Sequence, residues 1–282
     1  MQQPASRSAA IRLLATLASS NRRILYAPAN KCIYCGRADV SLSREHIIPY
    51  SLGESLVLQN ASCADHADLT SALEREVARD TYGIHRAHER IQTRRKGRHE
   101  ETLSTKTTVE GIDKNGTPAT AHIAISDQPR LPMVVRLQVP GILRRGCPSD
   151  FDSGVTLQCE PADQAAFARL RERLQWQKIT ISSPPVRQRA FLRVLAKIAH
   201  AFACAELSFM SYRPTLLPLI LGEPVSGTYL VGGFDPEESQ AVRPLLLREV
   251  ELEGQALLIA DISLHFFPLL PKYQVVCGAR HT

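Results

Sequence analysis

The sequence lacks any apolar stretch of the 18 to 20 or so residues that a membrane-spanning helix needs. The most apolar segment near its start, residues 13–18, is too short and has no small-residue cleavage site, so we expect no secretion signal. Cysteine is scarce, and its total of 7 is odd, which argues against a disulfide framework. These absences exclude membrane-spanning and disulfide-stapled secreted proteins, and we expect a cytoplasmic protein.

Aromatic residues are also few, at 6%, while apolar residues make up 44% of the 282 and are enough for a sizeable core. The length allows one large domain or two smaller ones. The net charge is +6, a modest excess of cations that favours an anionic partner.

Two closely spaced pairs of metal-binding residue types stand out. Cys32 and Cys35 are separated by two residues, and so are Cys63 and His66. Two such pairs supply the four nitrogen and sulfur ligands of a closed tetrahedral zinc site. The chain's other cysteines show no paired spacing: Cys147, Cys159, Cys204 and Cys277. We therefore predict a structural Zn²⁺; the alternative is four unrelated residues.

Between the two pairs, residues 45–53 read EHIIPYSLG, and a lone asparagine, Asn60, follows. With the cysteine and histidine pairs, this segment resembles the HNH endonucleases, the zinc-bearing branch of the ββα-metal nucleases. The resemblance covers about 50 residues and says nothing about the remaining four-fifths of the chain. The matching positions are Cys32, Cys35, Gly36, Glu45, His46, Pro49, Leu52, Gly53, Asn60, Cys63 and His66.

The resemblance implies a metal-dependent DNA endonuclease, a hydrolase of phosphodiester bonds. His46 would be the general base, since a neutral imidazole can take a proton from water near neutral pH. Glu45 would contact a catalytic Mg²⁺ or Mn²⁺, because hard divalent ions prefer oxygen ligands. Asn60 would brace the loop that aims His46.

The chain departs from the family pattern at three positions. Glu45 stands where Asp is more familiar, and His66 stands where a fourth Cys is usual, which zinc accepts. Ala67 falls where the third motif residue, usually a metal ligand, is expected. Asp68 is the nearest oxygen ligand and would replace it, or Glu45, phosphate and water alone would hold the ion. Two alternatives therefore stay open: a non-catalytic zinc-dependent nucleic-acid-binding protein that keeps the HNH fold, and a regulatory protein in which zinc is only structural.

A basic segment follows the motif, with Glu89 as its one acidic residue between positions 84 and 99. Cations bind a phosphate backbone regardless of its sequence. Arg86, Arg90 and Arg94 are spaced four residues apart and would form one basic helical stripe; the alternative is a solvated helix face. The predicted nucleic-acid-binding residues are Arg86, Arg90, Arg94, Arg95, Lys96 and Arg98.

We predict an α+β protein in which a small zinc-stabilised ββα-metal (HNH) module precedes a larger mixed α+β domain of unknown role. Residues 1–30 would form an N-terminal helix or arm, with the helix over 8–20. Residues 31–100 would be the HNH module with its basic helical extension, and residues 101–282 the C-terminal domain. We expect DNA as the partner and no membrane; a homodimer is one assembly that would cut both strands.

Periodicity and turn residues predict the elements of these parts. In the module, strands are predicted at 40–42 and 47–48, a loop at 51–58, and a helix that begins near Cys63. In the C-terminal domain, Asn115-Gly116 predicts a hairpin, and a long core helix begins after Pro185. A second helix is predicted at 161–176. The remaining predicted elements are mainly antiparallel strands, at 131–139, 178–181, 228–231, 248–252, 256–267 and 273–277.

Overall fold

A computed structural model describes residues 11–17, 24–52, 56–91, 97–130, 133–150, 152–159, 164–181, 186–207, 211–234, 245–264 and 271–281. The fold is mixed α+β, as the sequence predicts. Among these residues, no helix combines the length and the apolar character that crossing a membrane would require.

The first described segment is a strand, β1 (Ile11–Leu17), which pairs antiparallel with residues 245–250 near the other end of the chain. The helix predicted over 8–20 is therefore wrong over 11–17; residues 8–10 and 18–20 lie outside the described part. The apolar positions of this short run fit either period, and an open sheet edge offers it backbone hydrogen-bond partners. A second short strand, β2 (Ile24–Tyr26), follows.

Two antiparallel strands and a helix form next, in the predicted order. Strand β3 (Ser43–His46) pairs with β4 (Leu56–Ser62), whose other side pairs in parallel with β2. The predicted strands at 40–42 and 47–48 are misplaced, because β3 lies between them. The predicted loop is shorter, because β4 already begins at Leu56. Helix α1 (Ala64–Glu76) confirms the predicted start near Cys63.

The basic segment is not one continuous helix. After a π-helical turn (Val77–Thr81), helix α2 (Gly83–His88) ends before Arg90, whose φ of 51° is left-handed. The amide of Ile91 donates to the carbonyl of Arg86 at 3.0 Å, as in a Schellman cap. The predicted stripe of Arg86, Arg90 and Arg94 is therefore wrong at Arg90, and Arg94 lies outside the described residues. Helix α3 (Arg98–Ser104) follows.

A small sheet and helix lie in the middle of the chain. Strands β5 (Lys106–Asp113) and β6 (Pro118–Ala124) confirm the predicted hairpin, with Gly116 at φ 85°. Strands β7 (Met133–Arg136) and β8 (Thr156–Cys159) pair with each other. Helix α4 (Gln164–Leu174) precedes β9 (Trp176–Thr180), which pairs with β5. Val109, Ile123 and Leu170 form a separate small core here.

The C-terminal part packs the long helix α5 (Gln188–Glu206) against a six-stranded sheet. Its further elements are β10 (Tyr212–Pro214), α6 (Leu217–Leu221), α7 (Gly227–Leu230), β11 (Val231–Gly233), β12 (Leu245–Leu252), β13 (Gln255–Ile262) and β14 (Tyr273–Arg280). The order along the sheet is β1-β12-β13-β14-β10, with β11 also paired to β14. The strand predicted at 228–231 is largely wrong, because Ser226 caps α7 by accepting a hydrogen bond from the Tyr229 amide at 3.3 Å.

The main core runs across the boundary predicted at residue 100. Residues of the Cys/His segment and residues of α5 and the large sheet belong to one buried apolar cluster. The ring of Tyr82 lies 6.2 Å from that of Phe191 on α5, which in turn lies 5.4 Å from Tyr273 on β14. Helix α5 is thus shared between the strand–strand–helix unit and the large sheet.

Candidate metal centre

The two predicted ligand pairs converge in space. The ligand atoms of Cys32, Cys35, Cys63 and His66 all lie within 4.8 Å of one another. The two sulfurs of Cys35 and Cys63 are 3.9 Å apart, and His66 Nδ1 lies 3.0 Å from Cys63 Sγ and 3.8 Å from Cys32 Sγ. Ligands at Zn–S and Zn–N distances, arranged tetrahedrally, lie roughly 3.5 to 3.8 Å apart. The four atoms are therefore close enough to hold one metal ion, and three sulfurs with one imidazole fit zinc.

Local backbone structure places these ligands. Cys32 and Cys35 sit on a tight turn closed by the Gly36 amide donating to the Cys32 carbonyl at 2.8 Å. Gly36 has a φ of 75°, which only glycine adopts without strain. Cys63 is the residue just before α1, and His66 lies in its first turn, so both face the same side. A hydrogen bond from the Ile33 amide to the Ala61 carbonyl, at 2.8 Å, joins the turn to β4.

Helix α5 packs against the turn that carries Cys32 and Cys35. His200 is fully buried, and its Nε2 donates to the Ile33 carbonyl at 2.8 Å. The ring of Tyr34, also buried, lies 5.8 Å from that of His200 and stacks on that of His66 at 5.5 Å. His200 is therefore a packed, interfacial residue, and the candidate metal centre contacts the C-terminal half of the chain.

Glu45 and His46 point to opposite faces of β3, because successive side chains of a strand alternate. Glu45 is only 4% exposed and faces the core. His46, the last residue of the strand, is half-buried, and its ring meets that of Tyr50 edge-on at 6.2 Å. The predicted base and the predicted acidic ligand are thus neighbours in sequence with different surroundings.

The Glu45 carboxylate is held by a buried lysine of α5. Lys197, fully buried, has its Nζ 2.5 Å from Glu45 and 2.7 Å from Glu74 of α1. The same ammonium group donates to the main-chain carbonyl of His46. One cation on α5 therefore contacts both β3 and α1, and it also contacts the main chain of the predicted base.

Burial and ion pairing have opposing effects on the pKa of Lys197, and also on the pKa of Glu45. Burial works against the charge of Lys197, but the two carboxylates outweigh it and hold the pKa of Lys197 above its ordinary value. Burial raises the pKa of Glu45 even though Lys197 opposes that shift. A single cation shared between two carboxylates gives this pattern, since the cluster carries more negative than positive charge.

Asn60 lies where β4 bulges. The pairing of β3 with β4 shifts register between Ser43 and Glu45, and Asn60, opposite this shift, has a left-handed φ of 48°. Its Nδ2 donates to Asn30 Oδ1 at 3.4 Å. Asparagine tolerates this conformation better than most residues, which explains its presence within a strand. Its predicted role in orienting His46 stays a prediction.

The predicted oxygen ligands do not assemble a site for a catalytic ion. Within the described residues, the Cys/His cluster is the one group of three or more Cys, His, Asp or Glu side chains close enough to share an ion. Glu45 is engaged by Lys197, Asp68 lies exposed on α1, and Ala67 beside it has no ligand atom. These residues do not fit a bound Mg²⁺ or Mn²⁺ as they stand, so Glu45 and Asp68 as its ligands stay predictions.

The predicted nucleic-acid-binding residues differ in their surroundings. Arg86 is half-buried and donates from Nη1 to the Ala78 carbonyl at 3.1 Å. Arg98 begins α3 and lines the same pocket as Arg86. Arg90 instead pairs with Glu100 at 3.4 Å. Arg95 and Lys96, like Arg94 and the motif's Gly53, lie outside the described residues.

The sequence analysis did not predict the role of Lys197, which contacts Glu45 and the main chain of His46. A signal for it was present, because residues 194–205 read VLAKIAHAFACA, an apolar run in which Lys197 and His200 stand out. A buried lysine in such a helix needs a partner of opposite charge. The sequence does not show that Glu45 and Glu74 supply it.

Comparisons with protein-family models, with curated proteins and with solved structures give no match for this chain. The function is therefore argued from the residues and their geometry.

Proposed function

We propose that this chain is an HNH-type endonuclease that hydrolyses phosphodiester bonds of DNA and depends on an added divalent ion. The observation that carries the proposal is the position of His46. It ends the first strand of a strand–strand–helix unit, is half-buried, and lies in sequence between the two halves of a Cys₃His centre.

The residues of the unit would divide the work as follows. His46 would accept the proton of the attacking water, as a general base must. Lys197 and Asn60 would keep its main chain and the neighbouring bulge in place. Zinc would be structural, because four protein ligands leave no open position for water or substrate.

A second candidate is a nucleic-acid-binding protein that keeps the zinc-stabilised unit without cutting. The engagement of Glu45 by Lys197 and the absence of a ligand atom at Ala67 favour it. In this case the basic residues would bind the phosphate backbone, and His46 would have no chemical role.

Cleavage of supercoiled plasmid tests the proposal. Zinc-loaded protein is incubated with plasmid with and without Mg²⁺ or Mn²⁺, as the parent chain and as His46→Ala. The matched control is His122→Ala, which removes an exposed histidine of β6. We expect ion-dependent loss of supercoiled DNA that His46→Ala abolishes and His122→Ala retains.

The other outcomes decide between the candidates. Binding without cutting by the parent supports the second candidate. Equal cutting by His46→Ala contradicts the assigned base, and neither binding nor cutting contradicts both candidates. Nicked or linear product reports whether one strand or both are cut, and so bears on a homodimer.

A further inference from the structure

A small pocket between α2 and α3 is lined by three arginines. It has a volume of about 190 Å³, and the polar side chains in its wall are those of Arg79, Arg86, Arg98, His99 and Thr102. In the described part of the chain, no acidic residue belongs to this wall. A water molecule occupies about 30 Å³ of the liquid, so the pocket has room for a phosphate group with some of its waters.

Arg86 is the fixed member of the group. Its Nη1 donates to the Ala78 carbonyl at 3.1 Å, which holds the guanidinium in one place. Burial lowers the pKa of Arg86, and the nearby positive charges of Arg98 and Arg79 lower it further. Like charges that converge on a partly buried site repel one another, and a bound anion would relieve that repulsion.

In a neighbouring cleft, acids pair with two of the arginines. A larger cleft of about 480 Å³ is lined by Arg130, Arg169 and Arg173 among others. Arg130 lies 2.8 Å from Glu89, and Arg173 lies 3.0 Å from Asp127. Two of the arginines of that cleft are therefore paired with acids within the protein, whereas the described residues that line the smaller pocket are cationic or neutral.

We propose that the pocket of Arg79, Arg86, Arg98 and His99 binds a phosphate group, supplied by the backbone of a nucleic acid. The planar guanidinium fork matches phosphate oxygens and can donate two hydrogen bonds at once. Residues 79, 86 and 98 lie on three separate elements, which sequence spacing does not predict to converge. The choice of nucleic acid as the source rests on the proposed function.

The binding test uses a labelled 20-base-pair duplex and the full zinc-loaded chain. All variants carry His46→Ala so that the DNA stays intact. Affinity is measured at several salt concentrations for Arg86→Gln, for Arg79→Gln with Arg98→Gln, and for Arg173→Gln as the charge-matched control. We expect about tenfold weaker binding for Arg86→Gln, since a hydrogen bond to a charged group is lost. The slope of log affinity against log salt should fall by about 0.9 for each phosphate contact removed.

The control and a second variant keep the result interpretable. Arg173→Gln should change the affinity less than about twofold, because a surface pair contributes little. Arg86→Lys keeps the charge and loses the fork, so its affinity should fall between those of the parent and Arg86→Gln. Circular dichroism and zinc content confirm that each variant is folded.

A second arm distinguishes the source of the phosphate. Inorganic phosphate is added to ¹⁵N-labelled protein, and the Nε–H signal of Arg86 is followed by NMR, with chloride at equal ionic strength as the control. A shift with phosphate together with the DNA effects supports a backbone phosphate site. A shift with phosphate but no DNA effect overturns nucleic acid as the source, and neither response overturns the pocket. Cleavage is not measured in either arm, so failure of the nuclease proposal would be seen separately.

Discussion

Lys197 on helix α5 and Glu45 on strand β3 form a buried ion pair, with 2.5 Å between Nζ and the carboxylate oxygen. Because the same ammonium group also donates to the carbonyl of His46, the C-terminal helix fixes the main chain at the predicted base. Glu74 of α1 completes the cluster at 2.7 Å. The strand–strand–helix unit and the C-terminal half therefore form one structural entity around this lysine.

Replacing the lysine should destabilise the whole chain. Lys197→Met leaves two carboxylates facing each other without a cation in a buried site, which costs about 3 to 5 kcal/mol when one partner of a buried pair is removed. The free energy of unfolding, measured by urea denaturation, should fall by about that amount. Lys106→Met, at an exposed position of β5, should change it by less than about 0.5 kcal/mol.

A triple variant tests whether uncompensated charge is the cause of the lost stability. Combining Lys197→Met with Glu45→Gln and Glu74→Gln removes the uncompensated charges, so a large part of the lost stability should return. If the triple variant is no more stable than Lys197→Met alone, packing rather than charge explains the effect.

Features set by local sequence were predictable. The Cys-x-x-Cys and Cys-x-x-His spacings predict the cluster of four ligands, and Asn115-Gly116 predicts the hairpin of β5 and β6. The apolar period after Pro185 predicts α5. Within each ligand pair, in the hairpin turn and in the helix, the residues that decide the local structure are close together in sequence.

Features set by distant partners were not predictable. Strand β1 forms because β12 offers it an edge, although its own residues also suit a helix. Arg90 ends α2 through its backbone conformation, where residue spacing suggested a continuous helix. Glu45 resembles a metal ligand in sequence, and only the position of Lys197 shows that its carboxylate is engaged.

Loss of a cysteine ligand should remove zinc and disrupt the unit. Cys63→Ser leaves three ligands, and structural zinc contributes about 10 to 16 kcal/mol of apparent binding free energy in small zinc domains. We expect less than one zinc per chain by elemental analysis and loss of secondary structure by circular dichroism. Cys147→Ser, outside the cluster, should keep one zinc per chain; loss of zinc in both variants would contradict the assigned ligands.

The hairpin turn of β5 and β6 should weaken in acid. Asp113 accepts hydrogen bonds from the amides of Thr117 and Asn115 at 2.9 and 2.8 Å, and these bonds lower the pKa of Asp113 below 3.8. The carboxylate therefore contributes stability above pH 3.8, and that contribution is lost as the pH falls through the lowered pKa.

Hydrogen exchange at the two amides measures this effect. The protection of the Asn115 and Thr117 amides, relative to the intrinsic exchange rate at each pH, should be high at pH 5 and should fall as the pH drops through the lowered pKa of Asp113, and Asp113→Ala should remove this pH dependence. Unchanged protection in Asp113→Ala would show that the backbone turn alone protects them.

Asn60 should tolerate glycine better than alanine. Its φ of 48° is left-handed, a conformation that costs an ordinary residue about 1 to 2 kcal/mol and glycine almost nothing. We expect Asn60→Ala to lower the free energy of unfolding by about 1 kcal/mol relative to Asn60→Gly, as measured by urea denaturation. Equal stability of the two variants would contradict a conformational role.

If the bulge is what positions His46, plasmid cleavage should fall in the same order, with Asn60→Gly more active than Asn60→Ala. Loss of cleavage in both variants, when both are stable, would instead assign the function to the amide side chain.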